Sequence, residues 1–231
     1  MTLAYKHIGI IAALDEELAD IVDKLQLHEA EEALQTLFHC GIVQGQQVVA
    51  AKCGVGKVNA AAATQHMIEK FGCDCVINVG VAGSTNDEVR KNHVVLSTEL
   101  HEHDMDCLEG PGVISRMDTS VFLSDKTLLD LAERKGKALL PEDFVHVGPI
   151  VSGDQFVSSR DKKEWLSSTF GSLCTEMEGA AIAHVCYLNS VPFLVIRSIS
   201  DMADEDALDS FESSKDEAVD YTTALLLAMF I

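Results

Sequence analysis

The chain has 231 residues, 47% of them hydrophobic, and a formal net charge of −20 at pH 7. That length and apolar content suit one α/β domain with a sizeable core, and a charged share of 23% argues against disorder. The acidity argues against sequence-independent nucleic-acid binding, which needs Lys and Arg to neutralise phosphates, and against an anionic membrane surface.

In chain order, residues 7–13 read as a buried strand, and a helix from Asp15 carries Leu18, Ile21, Val22 and Leu25 on one face. Residues 36–43 and 47–53, joined by Gln44-Gly45-Gln46, read as a hairpin. Gly54-Val55-Gly56 turns into an Ala-rich helix over 59–71, and 75–79 is a buried strand running into Gly80-Val81-Ala82-Gly83-Ser84. A strand over 93–99, a long polar loop over 101–119 and a helix over 124–135 follow. Then come a strand over 144–152, interrupted at Gly148-Pro149, and a short helix over 159–170. Beyond Glu176 a helix-like run reaches Asn189. Residues 193–196 form a short, β-branched-rich strand of the kind buried on both faces, and 213–231 read as a terminal helix. The alternation predicts an α/β sandwich, and the early hairpin gives it a mixed central sheet rather than a purely parallel one. With no linker, low-complexity tract or repeat, residues 1–231 read as a single domain. The seven cysteines form no C-x-x-C pair and read as small hydrophobes in a reducing compartment. Without a leader-like start or a run of ~20 apolar residues, the expected location is the cytoplasm.

The chemistry concentrates near the end. The strand at 193–196 runs on into Arg197, Ser200 and Asp201, delivering polar groups to its carboxyl end, where open α/β sheets bind ligands. Alone, the cluster also reads as a structural Arg–Asp pair capping a strand. Gly54-x-Gly56-Lys57 lacks the second half of either phosphate-binding motif and reads as a tight turn beside a ligand. His101-Glu102-His103-Asp104-Met105-Asp106 carries metal-capable groups without a common metal spacing, so it reads as a polar loop at a site rim and no metal is expected. Asp15 and Glu16 suit a helix start. Glu17 follows the first strand on the same sheet edge as Asp201, where a carboxylate could act as a general base.

Six segments in order resemble one family: 8–17 (Ile-Gly-Ile-Ile-Ala-Ala-Leu-Asp-Glu-Glu), Gly54-Val55-Gly56-Lys57-Val58-Asn59-Ala60, Asn78-Val79-Gly80-Val81-Ala82-Gly83, Val151-Ser152-Gly153-Asp154-Gln155-Phe156, Glu176-Met177-Glu178-Gly179-Ala180 and Arg197-Ser198-Ile199-Ser200-Asp201. Together they are similar to the 5′-methylthioadenosine/S-adenosylhomocysteine nucleosidases of the purine nucleoside phosphorylase superfamily, over nearly the whole chain. The resemblance implies a nucleoside phosphorylase-like, three-layer α/β/α sandwich without a cofactor. It also implies hydrolysis of the N-glycosidic bond of methylthioadenosine and S-adenosylhomocysteine, and of 5′-deoxyadenosine.

By the same resemblance Asp201 is the acid at the purine N7, oriented by Ser200, and Glu17 is the base that activates water, so their pKa values should be pushed apart. Arg197 helps hold the water and carboxylates, Glu178 binds the ribose hydroxyls and Met177 packs on the sugar. Phe156 stacks on adenine and the backbone at Val157 reads its edge. Val55, Ala82, Gly83, Glu176, Ala203 and Phe211 complete the implied substrate-binding set. Val81 departs from the small hydroxyl residue often found there. The resemblance further implies a homodimer in which the loop over 101–119, carrying Ile114, reaches the neighbouring pocket. A phosphorylase on the same fold, an aminofutalosine hydrolase and a non-enzymatic nucleoside-binding module are the rivals. Glu17 would repel phosphate, and a pure binder needs no acid–base pair.

Overall fold

The computed structural model describes residues 3–231. Its elements run β1 (His7–Ala12), α1 (Asp15–Lys24), β2 (His28–Ala33), β3 (Thr36–Val43), β4 (Gln46–Lys52), α2 (Lys57–Phe71), β5 (Cys75–Ser84) and β6 (Val94–Glu102). They continue with β7 (Asp106–Cys107), β8 (Gly110–Pro111), β9 (Phe122–Leu123), α3 (Lys126–Leu139), β10 (Val145–Ser152), α4 (Arg160–Phe170), β11 (Cys174–Glu176), α5 (Gly179–Asn189), β12 (Phe193–Asp201) and α6 (Ala207–Met229).

The sheet is mixed, in the order β11-β10-β6-β12-β5-β1-β4-β3-β2, with β9 beside β6. β11 also pairs antiparallel with β5, so one half of the sheet curls back on itself. Two apolar clusters cover its faces. Leu18 and Ile21 of α1, Leu128 and Leu131 of α3, and Leu225 and Leu226 of α6 pack on one side with Ile8, Ile10 and Ile77. Ala60 and Met67 of α2 and Ile182 and Cys186 of α5 pack on the other with Ile11, Val76 and Val195. The expected three-layer α/β/α sandwich is therefore present, because strands of both sheet halves are apolar on both faces and need helices on each.

Several boundaries differ from the sequence reading. β2, HEAEEA, went unrecognised: it is a mostly exposed edge strand without alternating apolar residues, and only its pairing with β3 makes it a strand. β5 continues through Ser84 where glycines suggested an end, because Gly80 pairs with Arg197 and Gly83 with both Asp201 and Thr175. β10 is not broken at Gly148-Pro149; the register shifts there and pairing with β6 resumes. The terminal helix starts at Ala207 rather than 213; its first two turns mix exposed polar residues such as Asp209 and Glu212 with the buried Ala207 and the partly covered Phe211.

The polar loop also has more structure than its composition suggested. Its first two residues belong to β6, β7 and β8 form a small hairpin, and Ile114 and Met117 pack against the chain's own core. Ile114 is thus partly buried within its own chain.

All seven cysteines are free thiols, and burial pushes Cys53 and Cys73 up to about 12. Among the described residues no helix is long and apolar enough to cross a membrane.

Candidate active site

β1, β5 and β12 are mutually parallel neighbours, so their carboxyl ends emerge on one sheet edge. A cavity of about 240 Å³ opens there. Glu17, one turn into α1, reaches back over the end of β1. Its Oε2 accepts from the N–H groups of Ala13 (2.8 Å) and Leu14 (3.0 Å), and its Oε1 from Val81 N–H (3.0 Å). The side chain is 2% exposed, and burial raises its pKa against the opposing pull of Arg197 and those three amides.

Asp201 ends β12. Ordinary strand alternation would send Ser200 and Asp201 to opposite faces. Here the register with β5 jumps from Ile199–Ala82 to Asp201–Gly83, so Ser200 is an extra residue and both side chains line the cavity. A bulge that re-aims side chains beside a site is a recurrent device. Asp201 Oδ2 accepts from the Ser200 hydroxyl (2.9 Å) and Oδ1 from Ala203 N–H (2.9 Å). Burial raises the Asp201 pKa. Both carboxyls thus move upward from their ordinary values. Desolvation dominates for each because each is almost wholly enclosed.

Arg197, fully buried, sits among carboxylates. It pairs with Glu176, lies 3.4 Å from Glu178 Oε2, and donates to Asn78 Oδ1 (2.6 Å) and Val81 O (3.3 Å). Its ion pairs are with these glutamates rather than with Asp201, so a simple strand-capping Arg–Asp pair is not what the residues form. Burial alone would lower the Arg197 pKa; Glu176, Glu178 and Glu17 raise it instead. Glu176 is held on all sides: by Arg197, by the Ser152 hydroxyl and by the N–H groups of Glu178 (3.1 Å) and Gly179 (2.7 Å). Glu178 has only Gly56 N–H (2.8 Å) and the distant Arg197, and burial pushes it up to about 7.

Gly80 and Gly83 make this crowding possible. A Cβ on Gly80 would collide with Arg197 and stand 2.6 Å from Glu17 Oε1; one on Gly83 would stand 2.7 Å from Asp201 Oδ1. Gly80→Ala is therefore expected to destabilise the fold by about 1–3 kcal/mol through overpacking, a fall in melting temperature that calorimetry would show. An unchanged transition would mean that the arginine and glutamate yield freely.

Of the residues expected at the site, Glu17, Arg197, Ser200, Asp201, Val55, Ala82 and Gly83 line the cavity, as do Phe156, Val157, Glu176, Met177, Glu178 and Phe211. Phe156 is half exposed and meets Phe211 edge-on, ring centroids 5.9 Å apart. Ala203 does not line the cavity. It is buried behind Asp201 in a left-handed conformation, φ 52°, and serves it through its N–H. Ala13, Leu14, Val81, Gln155, Thr175 and Leu208 also line the cavity and were not expected as site residues. The first five adjoin or lie within the quoted segments. Leu208 carries no local signal, because only the docking of α6 brings it over the pocket. Val81 packs with Ala218 and Val219 of α6 and with Phe211, so the departure at that position joins an apolar wall.

At the rim, Lys57 pairs with Glu102 and Asp104, and His184 bonds Glu102. His103 is buried with neither ring nitrogen partnered, and burial lowers its pKa to about 4. Among the described residues no cluster of three metal-capable side chains is assembled.

The profile of the phosphorylase superfamily matches residues 7–231. A 5′-methylthioadenosine/S-adenosylhomocysteine nucleosidase of Maridesulfovibrio salexigens is 38% identical over 229 residues, covering 96% of this chain and 97% of that protein. The crystal structure of a Helicobacter pylori 5′-methylthioadenosine/S-adenosylhomocysteine nucleosidase with butyl-thio-DADMe-Immucillin-A is similar at a TM-score of 0.91 and 33% identity, over 98% of each chain. A native structure of Helicobacter pylori futalosine hydrolase is similar at 0.91 and 33%, over 97% of each.

Proposed function

The chain belongs to the phosphorylase superfamily, and on that premise we propose that it is a single-domain N-glycosyl hydrolase that releases adenine from 5′-methylthioadenosine and S-adenosylhomocysteine, and from 5′-deoxyadenosine. One observation carries the choice of water over phosphate. Among the described residues lining the cavity, Arg197 is the only cation, and its two terminal nitrogens are already engaged by Glu176, Asn78, Val81 and Glu178, which leaves only its buried Nε without a partner. A phosphate dianion would meet Glu17 and Glu178, and the one cation is already offset by surrounding carboxylates, whereas water suits a buried carboxylate that accepts protons.

In this reading adenine lies against Phe156, with the Val157 backbone at its edge. Asp201, steadied by Ser200 and Ala203 N–H, gives its proton to N7 as the glycosidic bond lengthens and charge flows into the base. Glu17 takes a proton from the water that attacks the anomeric carbon, and a raised pKa helps it hold that proton. Glu178 receives the ribose hydroxyls, Met177 packs on the sugar, and Arg197 keeps three carboxylates together without mutual expulsion.

Incubating purified protein with methylthioadenosine, with and without phosphate, tests the proposal. Adenine and methylthioribose should appear equally in both; a strict phosphate requirement would make it a phosphorylase, and no cleavage would leave a binding module. The likeness to a futalosine hydrolase supports aminofutalosine as a second substrate, and initial rates on the same small panel decide its rank.

The protein is further proposed to work in the cytoplasm, in keeping with seven free thiols, and as a homodimer. Support for the dimer comes from exposed apolar side chains on the α2/α5 layer and its neighbour β9, namely Val58, Leu123, Tyr187 and Leu188, and from Leu108 at the tip of the β7–β8 hairpin. Leu108→Asp is expected to raise KM for methylthioadenosine several-fold and weaken the dimer seen by light scattering, since burying a carboxylate costs more than a lost contact. A fully active monomer of the native sequence would refute the dimer.

A further inference from the structure

The acidic loop that no catalytic step uses is joined to the cavity by a closed ring of contacts. Lys57 Nζ lies 2.6 Å from Asp104 Oδ1 and 3.0 Å from Glu102 Oε2. Asp104 Oδ2 accepts from Asp154 N–H (2.9 Å), and Asp154 Oδ1 accepts in turn from Lys57 N–H (2.8 Å). The ring thereby fastens three segments distant in sequence: the turn before α2, the end of β6 and the segment after β10. Two of them serve the cavity directly. Gly56, next to Lys57, donates its N–H to Glu178 Oε1 at 2.8 Å, and Asp154 leads into Gln155, Phe156 and Val157.

We propose that Asp104 is a positioning residue: through Lys57 and Asp154 it locks the 54–57 turn to the 154–157 segment, so that the aim of Glu178 at the sugar is set by one clamp. This rests on the ribose-binding role proposed for Glu178. The side chains of Lys57 and Asp104 are only 16% and 15% exposed, so their hydrogen-bonded ion pair is shielded from water and geometrically demanding. Both oxygens of Asp104 are committed to different segments, which a residue serving only solubility would not require. Glu178 has few other anchors, since its second oxygen has only Arg197 at 3.4 Å. Movement of the turn is therefore passed directly to it.

Asp104→Asn is close to isosteric but keeps one acceptor for two donors, and Lys57 retains Glu102. Steady-state kinetics would compare methylthioadenosine with its 2′,3′-dideoxy analogue in the native protein, in Asp104→Asn, in Asp154→Ala, whose altered side chain is exposed, and in Glu178→Gln. Asp104→Asn and Asp154→Ala should each lower kcat/KM for methylthioadenosine about 10-fold, a coupling usual for groups in one network, and for the analogue less than about twofold. Glu178→Gln should show the same dependence on the hydroxyls, more strongly. Equal losses on both substrates in the two clamp variants, with Glu178→Gln still hydroxyl-dependent, would overturn the clamp alone. If Glu178→Gln lost equally on both substrates, its ribose role would fall and the clamp with it.

Discussion

Asp201→Asn is expected to lower turnover of methylthioadenosine by about 10²–10⁴-fold, the usual worth of a general acid. The fold should survive, because the amide oxygen can still accept from Ala203 N–H and the Ser200 hydroxyl can turn to accept from the new NH₂ group. Affinity for a non-cleavable analogue should change little. The pH profile gives a second check. Burial raises the pKa of Asp201, so the protonated acid persists to higher pH than an ordinary aspartate, and the native rate should fall as pH climbs through that raised value. The Asn variant should lack this alkaline limb. Near-normal turnover in the purified variant would remove Asp201 from the acid role.

Glu17→Gln is expected to cost on the order of 10²-fold or more in kcat with a modest change in KM, since glutamine cannot take a proton from water. The variant should also lose some stability. Both carboxylate oxygens of Glu17 accept backbone N–H groups, and a glutamine must turn its NH₂ toward one set of them. A buried donor left without an acceptor costs about 1–3 kcal/mol. Melting temperature and turnover measured on one preparation separate the two effects. If phosphate-dependent cleavage appeared, the base assignment would stand and a phosphorylase-like entry for phosphate would have opened. Unchanged hydrolysis in a well-folded variant would exclude Glu17 as the base.

Much of this molecule was legible in its residues. The buried strands at 7–12 and 193–196, the amphipathic α1 and the mixed sheet follow from local apolar patterning, which the tertiary structure preserves. Glu17, Arg197, Ser200 and Asp201 were legible from their places at strand ends; the other expected cavity-lining residues came from the resemblance of six short segments to one family. What the sequence could not determine is how those segments are seated against one another. β2 is a strand only because β3 pairs with it, and Gly80 and Gly83 lie within a strand only because β11 and β12 flank them. The Ser200 bulge, which turns two consecutive polar side chains toward one cavity, exists only as a register between strands. The pKa direction of Glu17 and Asp201 depends on enclosure by groups far apart in the chain, and burial moves both carboxyls upward. The packing of Ile114 on the chain's own core and the place of Ala203 behind Asp201 arise for the same cause, since the neighbours a side chain meets are settled by packing at long range. Local pattern determines which residues prefer strand, helix or turn; desolvation, register and close approach arise only when distant segments share a site.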